Sequence, residues 1–342
     1  MSVGVAVAAK AQSMFGKRLR FSDYQELSRK ESVAEIAAYL KNQTYYRDIL
    51  EGVNEHSIHR GYLELLLRQN YFYRFGKLLR YSHESKEFIQ FGIMNVEYQL
   101  LMSTIYMLND EDRSSQIAQL PLRLNPYTSF DMEGLVEVWC IDDLIDLTKD
   151  TIYYNALKEF KGVRNADLDI AACEYSLRNE YTRNIIDLIS RQFSGETEKE
   201  LHEIFDTQLE LNNIAKIYRL KKYYQKDANE IKDNVILVSA KIAENEMKRW
   251  IEELDAEGIV SELKNSPYRS LIKDKEFIYV ENYLSWIAYQ FNMRHMRFSQ
   301  SPEVIITCYM SLLQSEISNL VNIIEGVRYH VAAEKVMQLL VY

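Results

Sequence analysis

The chain has 342 residues, 47% of them hydrophobic and 12% aromatic, and carries a formal net charge of −9. That composition supplies a substantial core and excludes a disordered chain, and the acidic balance argues against a whole-surface electrostatic footprint for nucleic acid, leaving only local basic patches. With only 11 Gly and 4 Pro there are too few turn-formers for many short strands, so the expected fold is all-α.

The opening apolar stretch, residues 3–9, is too short for a signal-peptide core and has no basic region before it. Ser32-Val33-Ala34-Glu35 reads as a capping box opening a helix with Val33, Ile36, Ala37 and Leu40 on its apolar face, ending near Asn42. It leads into a turn, Thr44-Tyr45-Tyr46-Arg47-Asp48-Ile49. A helical stretch over 61–81 follows, then a helix beginning Glu97-Tyr98-Gln99-Leu100-Leu101. Pro121, Pro126 and Thr128-Ser129 mark 121–130 as a connecting loop. The same succession then recurs: a turn at Thr151-Ile152-Tyr153-Tyr154, helical spacing over 168–193, and Glu210-Leu211-Asn212-Asn213-Ile214. Residues 225–234 read as a second connecting loop. The third round has Ser266-Pro267-Tyr268-Arg269, helical spacing over 277–297, and Glu316-Ile317-Ser318-Asn319-Leu320, whose helix starts crisply at Ser301-Pro302-Glu303.

Tyr46, Tyr153 and Tyr268 thus recur at intervals of 107 and 115 residues, and Glu97, Glu210 and Glu316 at intervals of 113 and 106. After each glutamate an apolar stripe repeats: Tyr98, Leu101, Ile105; Leu211, Ile214, Tyr218; Ile317, Leu320, Ile324. Self-similarity of this kind implies three related helical units, packed about a pseudo-threefold axis or stacked in a row, each a small antiparallel bundle. The boundaries are placed near 112 and 229, giving repeats 1–112, 113–229 and 230–342. The three glutamates read either as an acidic ring facing a partner or as helix-surface pairs that lock neighbouring helices, the second being the plainer reading. The three tyrosines are expected to line equivalent inter-helix turns, to organise the units and to reach a partner. The 25 tyrosines exceed what such a core needs and favour binding over catalysis.

Standard chemistries lack their residues. There is no GxxxxGK and no dinucleotide fingerprint. His83-Glu84 and His202-Glu203 are followed by Glu87 and Asp206 where a zinc-protease motif needs histidine, and none of the six histidines has a Glu three residues before it, as a di-iron bundle would require. His56 and His59 could share a metal, but a solvated turn is the plainer reading. Cys140, Cys173 and Cys308 are scattered in apolar contexts, as buried thiols of a reducing compartment would be. No catalytic residue, cofactor or metal is therefore expected. The segment 217–224, with Arg219, Lys221, Lys222 and three tyrosines, reads as the end of an amphipathic helix or as a single-strand nucleic-acid surface, the first favoured by the acidic balance. Residues 68–81, rich in Tyr and Phe, invite the same two readings. No uninterrupted run of about 18 apolar residues is present, so no transmembrane segment is expected.

The repeated pattern of a capped helix, a Thr/Ser-x-Tyr turn and a later Glu helix resembles the C subunits of the archaeal and bacterial V-type/A-type ATP synthases, which are related to the d subunits of eukaryotic V-ATPases. The segments that carry the resemblance are 33–50, 210–224 and 301–342, and it extends over essentially the whole chain. It implies a funnel of three helical domains on the cytoplasmic face of the membrane, peripheral within the complex. In that place it would be a non-catalytic central-stalk adaptor, joining the central shaft subunits D and F to the membrane proteolipid ring and transmitting torque for ATP-coupled proton or sodium transport. One departure from the repeat is Leu100, where the later copies have Asn213 and Asn319. The first unit is therefore expected to bury that helix face differently. Two other classes stand beside this reading: a helical-repeat scaffold or nucleic-acid-binding module, and a helical enzyme with an unrecognised carboxylate site.

Overall fold

The computed structural model describes residues 3–81, 86–108 and 120–342. The boundary expected near 112 and the His83-Glu84 pair lie outside them. Every regular element among the described residues is helical. Two compact units form, one made chiefly of 72–198 and the other of 5–71 together with 199–342.

Three long helices carry the repeated glutamates: Lys86–Tyr106, Gly195–Lys222 and Pro302–Arg328, called below the Glu97, Glu210 and Glu316 helices. The Glu97 and Glu316 helices each lie against the long helix that precedes or follows them in their own unit. Ile170–Gln192 packs on the Glu97 helix, and Val280–Phe298 packs along the Glu316 helix. These partners begin within three residues of the sequence-predicted stretches 168–193 and 277–297, and Arg60–Leu79 matches 61–81 equally well.

The helix starts follow from capping chemistry. Ser32 Oγ accepts from Glu35 N at 3.2 Å, and the Glu35 carboxylate reaches back to Glu31 N, one residue before the reciprocal bond of a full capping box. The helix it opens, Val33–Gln43, ends one residue beyond the expected Asn42. Asp169 caps Ile170–Gln192 through Ala171 N and Ala172 N, each at 3.0 Å. The stretch 225–234 differs from expectation: it contains a helix, Ala228–Lys232, so the boundary placed at 229 falls inside a helical turn. The reason is local. Asp227 accepts from Asn229 N and Glu230 N, while Glu230 accepts from Asp227 N at 3.1 Å, a reciprocal box. The loop expected at 121–130 is largely a 3-10 turn, Leu122–Tyr127.

The stripes behind the glutamates are buried in all three copies except at Tyr98, which is half-buried. In the unit of 72–198, Gly92 lets the Glu97 helix come down on the Phe75 ring, where a Cβ would meet the ring carbons. In the other unit Gly326 does the same for Val336, so the Glu316 helix sits against the short helix Ala333–Met337. The Glu316 helix is also long and apolar enough to cross a bilayer by length and composition, although it lacks an unbroken apolar run. Two thirds of its most apolar window is buried inside the protein, with Val304, Ile305, Leu313, Leu320 and Ile323 in the core. Its apolarity is used by packing.

Candidate functional site

The three repeated turns share one construction. The first-position hydroxyl donates to a carbonyl in, or one residue past, the preceding helix: Thr44 to Leu40 O at 2.6 Å, Thr151 to Thr148 O at 2.8 Å, Ser266 to Leu263 O at 2.7 Å. The same oxygen accepts from the tyrosine N–H two residues on, at 3.1 Å for Tyr46 and Tyr153 and 3.2 Å for Tyr268. Ser and Thr favour such local bonds because the short hydroxyl can reach both groups at once. Each tyrosine then begins a single helical turn, Arg47–Leu50, Tyr154–Leu157 or Arg269–Ile272. All three rings point inward and are at most 2% exposed.

What they meet is the repeated glutamate, in a cyclic order. Tyr153 of the second copy donates to Glu97 of the first at 3.0 Å. Tyr268 of the third donates to Glu210 of the second at 2.7 Å. Tyr46 of the first donates to Glu316 of the third at 3.0 Å, across 270 residues of sequence. Each tyrosine therefore pairs with the glutamate of the copy before it, and the last pair joins the two ends of the chain. The glutamates do not lie on the helix surface as expected but are buried, at 2%, 0% and 6% exposure for Glu97, Glu210 and Glu316, because a tyrosine turn and a backbone segment cover each of them.

Each carboxylate is also a clasp for backbone. Glu97 accepts from Ser129 N; Glu210 accepts from Ala240, Lys241 and Ile242 N at 3.0 to 3.2 Å for its Oε2; Glu316 accepts from Leu19 N at 2.7 Å and from the Tyr45 hydroxyl. Amide and phenol donors stand in for water around a charge that would otherwise be stranded, each bond to an ionised group being worth about 1.5–3 kcal/mol. Burial pushes the Glu97 and Glu210 carboxyls above the usual carboxylate range, against the opposing pull of these donors. Burial, and then the adjacent carboxylate, pushes the Tyr46, Tyr153 and Tyr268 hydroxyls far up, so the phenols stay protonated and act as donors.

A second repeated feature lies one turn beyond two of the glutamates. Asn319 grips the C-terminal segment of the chain from both sides, donating to Val341 O at 2.6 Å and accepting from Val341 N at 2.9 Å. Asn213 donates to Ile236 O. Leu100, at the same offset in the first copy, is 5% exposed and makes an apolar contact surface where the others hold a peptide group. The backbone donors at Leu19, Ser129 and 240–242 had no side-chain signature in the sequence, whereas the two asparagines did, as a repeated Glu-x-x-Asn.

The remaining sequence candidates are placed as follows. Tyr62 N donates to His59 Nδ1 at 3.3 Å, so His59 caps the helix Arg60–Leu79. His56 lies in the exposed turn before it. No group of three or more His, Cys, Asp or Glu among the described residues is placed to hold a metal ion. Cys173 and Cys308 are buried, which pushes the Cys173 thiol up to about 12, while Cys140 is only half-buried at the start of Ile141–Leu147. In the segment 217–224 the cations turn onto the protein itself. Lys221 Nζ donates to Ile251 O and Leu254 O at 2.6 Å, Lys222 pairs with Glu257 at 2.8 Å and Arg219 with Glu281 at 3.0 Å. Lys221 thereby satisfies the last carbonyls of Glu244–Glu253. Tyr71 and Phe75 of 68–81 are buried.

Two outcomes follow from this geometry. In a double-mutant cycle, Tyr268→Phe and Glu210→Gln each lower stability by about 1–3 kcal/mol, and the pair is non-additive by about 1 kcal/mol or more because they remove one shared bond; urea unfolding reads this directly. The pH dependence has a definite sign. A carboxyl raised in the folded protein above its ordinary 4.5 binds a proton more tightly folded than unfolded, so its contribution is complete below 4.5 and lost as pH rises through the folded value. Wild type therefore gains stability relative to Glu210→Gln as pH falls from about 7 toward about 5, in unfolding titrations of both proteins run side by side.

A protein-family comparison places residues 7–339 in the family described as ATP synthase (C/AC39) subunit. One relative, the C subunit of the A-type ATP synthase of Methanosphaera stadtmanae, is 24% identical over 330 residues, an alignment covering 91% of this chain and 80% of that protein. The matched span takes in all three tyrosine turns and all three buried glutamates, and with essentially the whole fold inside it, the chain belongs to the ATP synthase (C/AC39) subunit family.

Proposed function

We propose that this chain is a non-catalytic central-stalk adaptor of a rotary V-type/A-type ATPase or ATP synthase. It joins the shaft subunits D and F to the membrane proteolipid ring and carries torque between them for ATP-coupled proton or sodium transport. In this reading it lies on the cytoplasmic face of the membrane, peripheral within the complex. The repeats 1–112, 113–229 and 230–342 form a funnel of three helical units about a pseudo-threefold axis. Because each tyrosine pairs with the glutamate of the preceding copy, each unit would combine the Glu helix of one repeat with the tyrosine turn of the next.

The observation that carries the proposal, beside the family, is the threefold recurrence of a sealed joint. A part that transmits torque must resist shear between its helices, and a buried carboxylate held by several fixed donors resists displacement because any slip strands a charge at a cost of several kcal/mol. The phenols and carboxylates at 46, 153, 268, 97, 210 and 316 supply that stiffness from inside, and they position the exposed loops that would meet partners.

Affinity capture of tagged protein from gently solubilised source membranes, read by mass spectrometry, tests the reading. The adaptor recovers ATPase head, shaft and proteolipid subunits in fixed ratio. Recovery of the protein alone, or with nucleic acid instead, contradicts it.

A further inference from the structure

A small cavity lies beside the Glu316 joint. It has a volume of about 30 Å³, and Glu316, Arg18, Tyr24, Tyr45, Tyr289 and Tyr309 are among the residues that line it. All of them belong to the unit of 5–71 and 199–342. Arg18 directly precedes Leu19, whose N–H donates to Glu316 at 2.7 Å. The Arg18 guanidinium lies over the Phe15 ring, 4.2 Å from its centroid, and donates to Phe15 O at 3.3 Å. Among the described residues Arg18 has no carboxylate within ion-pair distance. Burial pushes the Tyr289 hydroxyl up; Arg18 draws it back by its charge and by a hydrogen bond, and the Glu316 charge pushes it up. Burial, and then Glu316, also pushes the Tyr24 and Tyr45 hydroxyls up. A guanidinium and a carboxylate thus act on the same phenol across one confined space.

We propose that this cavity is a hydration site in which bound water joins the Arg18 guanidinium to the Glu316 carboxylate, making Arg18 the counter-cation of that buried charge. A cavity holds one water for roughly each 10–15 Å³ when two to four polar groups face it, so about two waters fit here. Volume restricts the occupant to something of that size, and the walls select its chemistry. A metal or ammonium cation would meet Arg18, and a halide would meet Glu316. Water answers both, accepting from the guanidinium while donating to the carboxylate, and the phenol hydroxyls around it can do either. The bridge gives the segment around Leu19 a second hold on the Glu316 helix, beside its N–H, and partly offsets the cost of burying a carboxylate. Arg18 is then a positioning residue that acts on Glu316 through solvent.

Crystals of the full chain, grown with rubidium chloride and measured to a resolution that shows ordered water, test this first. Expected are water peaks in the cavity within hydrogen-bond distance of both Arg18 and Glu316, without an anomalous rubidium signal. A rubidium signal, a direct Arg18–Glu316 bond or a cavity without water peaks overturns the proposal. Urea unfolding supplies the energetic arm in solution. Arg18→Met lowers the folding equilibrium constant several-fold in the wild-type background and in Glu210→Gln, but little in Glu316→Gln, where the charge it balances is gone. An equal loss in all three backgrounds assigns Arg18 to packing on Phe15 alone and contradicts the bridge. Because the crystal arm uses the unsubstituted protein, it decides the question even where a variant fails to fold.

Discussion

A carboxylate taken out of water must be given donors in fixed places, and among the described residues three are buried, each ringed with backbone amides and phenols. The rest of the fold is arranged around that demand. A loop has to bring its N–H groups to the helix, a tyrosine has to arrive from the following turn, and the hydroxyl residue two places earlier has to fix that turn. Because the glutamate, the loop and the turn come from separate stretches, each joint ties together segments that local helix propensity would leave independent.

The cyclic order of the pairing has a consequence for how the chain is built. A repeat whose glutamate bonds the tyrosine of the next repeat leaves one tyrosine without a predecessor and one glutamate without a successor. Those two residues, Tyr46 and Glu316, find each other, and the chain ends meet around them through Leu19, Asn319, Val341 and Tyr342. Leu340 and Val341 are buried, and Asn319 holds this segment by bonding both polar groups of the Val341 backbone. At the same offset the first copy carries Leu100, a buried apolar side chain.

Much of this was legible in the sequence because periodicity survives wherever a face is buried. The all-α class, the long helices and the buried stripes follow from spacing alone, and the six repeated residues stand out because tyrosine and glutamate recur at matched intervals. Which tyrosine meets which glutamate was not legible: within a copy Tyr46 precedes Glu97, and nothing in that order reveals that the contact skips to another copy. The backbone donors at Ser129 and 240–242 leave no trace because any residue other than proline carries an N–H. The helix at Ala228–Lys232 was signalled by Asp227 and Glu230, a box partly hidden among polar residues that also suit a loop. Length and apolar content alone would let the Glu316 helix pass for a membrane span, since a core helix covered on most sides has the same composition.

The central claim is that loop N–H groups are locked onto buried carboxylates, and native-state amide hydrogen exchange measures that directly at Leu19, Ser129, Ala240, Lys241 and Ile242. These positions lie outside the long helices, so exchange there depends on the glutamate bonds. The account predicts protection approaching that of the Glu210 and Glu316 helix interiors, and its loss at 240–242 in Glu210→Gln with the helices still protected. Exchange of these five amides at the rate of ordinary exposed loops in the unsubstituted protein would contradict it.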